Sequence, residues 1–250
     1  MRGLFDRFAT PVLTVCCVVV SALAVRQQFF PPAPPPPPRS SQPAPGRRLP
    51  AGLPKLDAGL RIGSAEAPLQ LVEFADFECP FCALAAGELN EFHQKNPGTL
   101  SITFHHTPIS SHPNARAAAL AAECAAEQGA FEEYYYALFK NYSSLGKRSW
   151  HKLAKDARVA NLDAFDRCVA TNKYATRIDA DTALSRQVGV KATPTWIMGD
   201  SIFGGAPSVA QIEQWATAAI QRQQVRTGSS RSTRMAGDTS RLSHRGSPQK

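Results

Sequence analysis

The sequence predicts an α/β domain with a block of helices inserted between its strands, set between two ends of different character. Three observations predict it. Short apolar runs at 69–74, 100–104 and 195–198 read as strands. Stretches with helical periodicity fill the long interval between the second and third of these runs. Both ends depart from the composition of the middle. The chain has 250 residues, 43% hydrophobic and 19% charged, enough for a sizeable core.

The net charge of +8 belongs to the ends. Residues 1–50 carry six Arg against Asp6, and residues 222–250 carry six Arg and Lys250 against Asp238, which leaves −3 for residues 51–221. A mildly acidic domain argues against nucleic-acid binding, because neutralising phosphates requires a basic face. The basic ends read as solvated tails.

Residues 1–28 read as an export segment. Arg2 and Arg7 precede an apolar run from Pro11 to Val25, which includes Cys16 and Cys17 and is closed by Arg26. The run is shorter than the roughly 20 residues that span a bilayer, though starting it at Phe8 brings it closer. Ala22-Leu23-Ala24 offers a small-x-small cleavage pattern. An uncleaved signal-anchor and a cleaved signal peptide therefore both stay open, with the anchor preferred, and either places the remainder outside the cytoplasm. Residues 29–58 form a proline-rich linker expected to lack regular structure. Seven of the eight residues Pro31–Pro38 are proline, a composition that favours an extended polyproline spacer.

The folded domain is expected over 59–222. Leu69–Phe74 is a buried-type strand, residues 80–95 a helix stopped by Asn96-Pro97-Gly98, and Leu100–Phe104 a second strand. A helical insertion follows over about 112–187. Pro113 suits the first turn of a helix carrying Ala117, Leu120, Ala121 and Cys124, which Gly129 ends. Phe131, Tyr134, Tyr135, Leu138 and Phe139 make an amphipathic stripe that reads as core. Asn161 caps a helix with Leu162, Phe165, Cys168 and Val169, and another helix covers about 172–187. Thr195–Met198 and Ser201–Phe203 form a hairpin around Gly199-Asp200. Ser208 caps a last helix with Val209, Ile212, Trp215, Ala216 and Ile220. Residues 223–250 are expected to be a disordered basic tail.

Four cysteines fall in the folded part, an even count compatible with an oxidising compartment. Cys79-Pro80-Phe81-Cys82 follows a strand and opens a helix. That order puts Cys79 at a helix N-terminus, where unpaired amides and the dipole favour a thiolate. Cys79 is then the attacking thiolate and Cys82 the deeper, resolving thiol, with exchange passing through a mixed disulfide. The competing reading of a C-x-x-C is half of a zinc site. No second pair exists, and His105, His106 and His112 lack ligand spacing, so no metal is expected and the histidines read as surface or hydrogen-bonding residues. Glu73 interrupts an apolar strand six positions before Cys79. A carboxylate buried there has a raised pKa and can exchange the proton of Cys82; an edge-strand glutamate facing water is the alternative. Thr193-Pro194 precedes a strand, and sequence does not decide whether that bond is cis or trans.

The strand with Leu71-Val72-Glu73-Phe74, the Cys79-Pro80-Phe81-Cys82 turn, and Thr193-Pro194-Thr195 before a hairpin together resemble the thioredoxin superfamily. The helical insertion, with Ala121–Ala125, Gly129-Ala130-Phe131 and Phe165–Cys168, resembles its DsbA-like branch, over roughly Ile62 to Ile220. The resemblance implies a thioredoxin fold and a cis Pro194 beside Cys79. It implies that Thr193 and Pro194, with Pro80 and Phe81, meet an extended substrate segment. It matches Glu73 to the family's buried acid, and Cys124 and Cys168 to positions that form a second, structural disulfide in some members; two reduced core thiols are the alternative. Phe81 departs from the histidine of the best-known members, which puts a strongly oxidising potential in question.

The expected activity is protein disulfide oxidoreduction on unfolded or thiol-bearing exported proteins, most simply as an oxidase. It calls for no cofactor, a membrane redox partner, no nucleic acid, and membrane contact through the N-terminal segment. The expected location is the cell envelope or periplasm, with the N-terminal segment anchored in the inner membrane. The alternatives are a reductase or isomerase, and a non-catalytic thioredoxin-fold chaperone or binding module.

Overall fold

The structure, a computed structural model, describes residues 46–242 and the side chains of residues 46–225. The candidate export segment at 1–28 and the first part of the linker lie outside the described residues. Among the described residues, six strands and seven α-helices follow in the order β1 (Arg47–Arg48), β2 (Leu60–Gly63), β3 (Leu69–Ala75), α1 (Pro80–Lys95), β4 (Leu100–His106), α2 (Ala115–Ala126), α3 (Phe131–Lys140), α4 (Trp150–Asp156), α5 (Leu162–Ala170), α6 (Ala175–Val188), β5 (Thr195–Met198), β6 (Ser201–Gly204) and α7 (Val209–Leu242).

One mixed sheet runs in the order β1-β6-β5-β3-β4-β2. β3 and β4 are parallel and joined across α1, as a parallel pair requires. β5 lies antiparallel to β3, with Glu73 opposite Trp196, and β6 returns from β5 by the hairpin expected from Gly199-Asp200. The long interval between β4 and β5 holds α2 to α6. This is the thioredoxin fold with a DsbA-like helical insertion.

Alternation along β3 sets the two faces. Leu69, Leu71 and Ala75 join the large core with α1, α2, α3 and α7, whereas Phe74 joins Val188, Ile197 and Ile202 under α6. By the same period Glu73 faces the α1 side. α1 buries Cys82, Ala85, Ala86, Leu89 and Phe92, spaced as one helical stripe. Phe77 fills the centre, with its ring 5.2 Å from Phe104 and 4.9 Å from Phe139.

Local chemistry fixes the ends. Asn161 accepts from the Ala164 amide at 2.9 Å and Ser149 from Lys152 at 3.2 Å, the N-caps of α5 and α4. Gly189 closes α6 in the left-handed region, φ 79°. Pro113 stands before α2 rather than in its first turn: Asn114 is the N-cap, held from outside by Glu78.

Three features go beyond the sequence expectation. β2 pairs antiparallel with β4, and Gly63 lets it approach, since a side chain there would meet the Leu100 carbonyl. Within the stretch expected as linker, β1 pairs with β6 at the sheet edge, and the Arg47 guanidinium donates to the Val188 and Gly189 carbonyls at 3.2 and 3.3 Å. The last helix continues to Leu242, into the stretch expected as tail; no proline occurs between Pro207 and Pro248 to stop it. Among the described residues, no helix is long and apolar enough to cross a membrane.

Candidate active site

The turn between β3 and α1 is built by Asp76. Its carbonyl accepts from the Cys79 amide at 3.1 Å. One carboxylate oxygen accepts from the Glu78 amide at 2.7 Å. The other takes the Ile109 amide and His112 Nδ1, at 2.7 and 2.9 Å. Glu78 holds the Asn114 amide and side chain at 2.6 and 2.7 Å. These two acids clamp the loop before α2 to the cysteine turn. Sequence reading passed over both; the available signal was the acidic pair in a turn directly after a buried strand.

Cys79 is the residue before α1, and Pro80 occupies the first turn, where no amide donor is needed. Both cysteines are unbonded to any other sulfur. Cys79 retains 5% exposure and Cys82 none, so Cys79 is the sulfur nearer to solvent. Phe81 stands out between them at 42% exposure.

The two thiols are driven apart. A hydrogen bond from the Cys82 side chain lowers Cys79 to about 6; burial opposes this, while the Thr193 side chain and the Cys82 and Phe81 amides assist. Burial pushes Cys82 well above the ordinary thiol value, aided by the hydrogen bond to Cys79, the Cys79 charge and the Glu73 charge.

The Thr193-Pro194 bond is cis. The Cys79 thiol donates to the Thr193 carbonyl at 3.4 Å, and the Thr193 hydroxyl, buried and without a hydrogen-bond acceptor, is free to donate to the thiolate form. The hairpin steadies this loop: the Gly205 amide donates to the Pro194 carbonyl at 3.1 Å, and Trp196 Nε1 to the Gly205 carbonyl at 2.9 Å. Beside it lies a shallow, solvent-open groove whose lining includes Phe203, Gly205, Pro207 and Trp215.

Glu73 is fully buried in the central strand, not on an edge. Burial raises its carboxyl to about 8, against a hydrogen bond from Tyr135 that pulls it down. Cys124 on α2 and Cys168 on α5 are joined, with sulfurs 1.99 Å apart and a sequence separation of 44.

Of the two readings of the histidines, surface or hydrogen-bonding, the second holds for all three and the first fails for His105 and His106. His105 and His106 are not surface residues: β4 runs on through both, and each is 1% exposed. His105 Nδ1 meets Asp181 at 2.9 Å, His106 Nε2 meets Glu123 at 3.1 Å, and the His106 amide donates to Asp181 at 3.0 Å. One ligand atom each from His106, Glu123 and Asp181 lies within 4.8 Å of the others, a spacing that could hold a metal ion. Arg177 already supplies a cation there, 3.6 Å from Glu123 and 3.8 Å from Asp181. Both acids are thus met by Arg177 and by a histidine ring.

Residues 55–218 match the family model described as Thioredoxin. The Na(+)/H(+) antiporter NhaA 1 of Mycolicibacterium vanbaalenii is 36% identical over 138 residues, 53% of this chain and 22% of that protein. NhaA 3 of Salinispora tropica is 33% identical over 165 residues, 64% of this chain and 25% of that protein. The chain thus spans about a quarter of the length of these curated relatives. Among solved structures, oxidised BdbD from Bacillus subtilis is similar with a TM-score of 0.59 at 20% identity, covering 70% of this chain and 100% of that one. DsbA of Chlamydia trachomatis has a TM-score of 0.57 at 21% identity, covering 68% of this chain and 95% of that one. These two likenesses are of fold.

Proposed function

The chain belongs to the thioredoxin family with a DsbA-like fold, and from that premise we propose that it is a protein disulfide oxidoreductase that exchanges disulfides through Cys79 and Cys82. One observation carries the reading. Two adjacent, unbonded cysteines at a helix N-terminus have opposed acidities, Cys79 lowered to about 6 and Cys82 raised. A thiolate at neutral pH beside a protonated thiol is the arrangement a nucleophile and a resolving group need.

The substrate segment lies along Thr193 and Pro194, next to Pro80 and the exposed Phe81. A substrate thiolate attacks the Cys79 sulfur of the oxidised pair, the Cys79–Cys82 bond breaks, and Cys82 leaves with the electron pair. Glu73, protonated at neutral pH, gives that sulfur its proton. A second substrate thiol, as its thiolate, attacks the substrate sulfur of the mixed disulfide and expels Cys79 as thiolate. The substrate loses two electrons and the protein disulfide gains them.

The direction favoured is oxidation. A low Cys79 pKa stabilises the reduced protein, and that makes the disulfide the stronger oxidant. The substrates are unfolded or thiol-bearing exported proteins, and a membrane redox partner restores the disulfide. The place of action is the cell envelope, reached through the N-terminal segment. A reductase or isomerase is the second reading, favoured by Phe81, which offers the thiolate no side-chain donor.

The test is trapping with a reduced two-thiol peptide. Cys82→Ser, once oxidised to a mixed disulfide with glutathione, forms a Cys79-linked adduct that accumulates when the second thiol of the peptide is replaced by a hydroxyl and resolves to oxidised peptide when it is present, and Cys79→Ser forms none. Equal trapping through Cys124 or Cys168, or full oxidation of the peptide by Cys79→Ser, overturns the reading.

A further inference from the structure

Glu73 is held from one side only. The Tyr135 hydroxyl, from α3 in the inserted helices, donates to Glu73 Oε2 at 2.9 Å across 62 positions of sequence. Both side chains are fully buried. The other carboxyl oxygen, Oε1, is buried with no hydrogen-bond partner. Such an atom costs free energy and is seldom kept without a use.

The groups facing this carboxyl are few. On β4 and β5 its register partners are Phe104 and Trp196, neither of which ionises in the working range. On α3 stand Tyr135 and Tyr136, and on α1 stands Cys82, each of which feels the Glu73 charge. Burial, with the Glu73 charge next, pushes the Tyr135 phenol well above its ordinary value, so Tyr135 donates a hydrogen bond without giving up its proton. The Tyr136 hydroxyl is buried and makes no hydrogen bond to the carboxyl.

We propose that Tyr135 is a positioning residue for proton exchange at Cys82: it holds Glu73 by Oε2 and leaves Oε1 open to the resolving sulfur. This rests on the reading that Cys79 and Cys82 exchange disulfides. When the Cys79–Cys82 bond breaks under attack on Cys79, Cys82 leaves with the electron pair and takes the Glu73 proton. The carboxylate left behind is stabilised by the Tyr135 hydroxyl. In the reverse direction the carboxylate takes the proton back from the Cys82 thiol as the disulfide re-forms. A helix of the insertion thereby reaches into the chemistry of the thioredoxin core.

The experiment uses the full chain and follows the infrared carboxyl band of Glu73, identified by its loss in Glu73→Gln, through a pH titration of the oxidised protein. Single-turnover oxidation of a two-thiol peptide is followed across the same pH range. In the native protein the band is lost near the pH at which Glu73 ionises, about 8. In Tyr135→Phe the carboxylate loses its donor, and the midpoint moves up by about one unit. The pH limb of single turnover moves with it, and in the Glu73→Gln background Tyr135→Phe shifts nothing. Tyr136→Phe leaves the midpoint in place. Should Tyr135→Phe fail to fold, protein grown with 3-fluorotyrosine, a stronger donor, moves the midpoint down. An unmoved band in Tyr135→Phe, an equal shift in Tyr136→Phe, or an unmoved band with fluorotyrosine overturns the proposal. A band that shifts as expected in a protein that oxidises no peptide leaves the Tyr135–Glu73 linkage standing and overturns the functional reading beneath it.

Discussion

Two pairs of cysteines lie in this one domain, and their surroundings have little in common. Cys79 and Cys82 sit at the N-terminal end of α1, unbonded, with opposed acidities and with the Thr193 carbonyl 3.4 Å from Cys79. Cys124 and Cys168 are bonded across two helices, within the same large core that holds Cys79 and Cys82. The cysteines of both pairs are buried. The difference is one of polar environment. The first pair has helix amides, a threonine hydroxyl and a buried acid around it, groups that lower one thiol and help keep the other protonated. A cysteine buried in apolar surroundings is inert, and groups that stabilise its thiolate make it reactive.

The largest effect that sharpens this comparison is on exchange itself. Cys79→Ser abolishes oxidation of a two-thiol peptide, whereas the double variant C124S/C168S retains the native rate wherever it remains folded. Loss of exchange in the folded double variant would show that the two pairs work in series.

Stability against pH separates the pairs next. Glu73 ionises near 8 when folded, against an ordinary value of 4.5. A raised acid stabilises the fold fully below its unfolded value and loses that contribution as pH rises through the folded one. In the oxidised protein, where Cys79 does not titrate, the Glu73 contribution therefore falls by about 5 kcal/mol as pH rises from about 4.5 to about 8, and Glu73→Gln removes that slope. Urea unfolding at several pH values measures it. The same slope in both proteins would mean that another group carries it.

The bonded pair contributes mainly through the unfolded chain. Its loop spans 44 residues, and chain-entropy reasoning gives it about 4 kcal/mol, with about 2–4 kcal/mol typical. The double variant C124A/C168A should lose stability in that range in urea unfolding while its Cys79 acidity stays unchanged. The smallest effect is Thr193→Val, which removes a donor to the thiolate and raises Cys79 from about 6 by less than one unit, read from thiolate absorbance in the ultraviolet.

The core of the fold was legible because its signals are local. The alternation of β3, Pro80 at the head of α1, the Asn161 cap and the Gly199-Asp200 hairpin each fall within a few residues. What escaped depends on distance. β1 is two residues long and exists through pairing with β6 and the Arg47 contacts to the end of α6. β2 is four residues whose partner lies 40 positions on. At the site, the burial of Glu73 follows from its apolar neighbours, but its partner does not. The Tyr135 ring fits the apolar stripe of α3, which hides the hydroxyl that leaves the stripe for Glu73. A buried acid demands a donor, and asking which tyrosine of that stripe supplies one would have narrowed the choice. The surface reading of His105 and His106 failed for a related reason, while the hydrogen-bonding one held: acids on α2 and α6, with the Leu56 carbonyl, make two adjacent histidines tolerable inside a sheet.

The central claim is that the environment of Cys79 and Cys82 makes theirs the working pair. Equilibration of the full chain with reduced and oxidised glutathione at neutral pH, with each cysteine followed by mass mapping, tests it most directly. The account predicts that Cys79 and Cys82 alone respond, at a potential well above thioredoxin's about −270 mV and toward the about −120 mV of a strong oxidant, while Cys124–Cys168 stays closed. A potential at or below thioredoxin's would contradict the oxidising direction. A Cys79–Cys82 pair that does not respond would contradict the account as a whole.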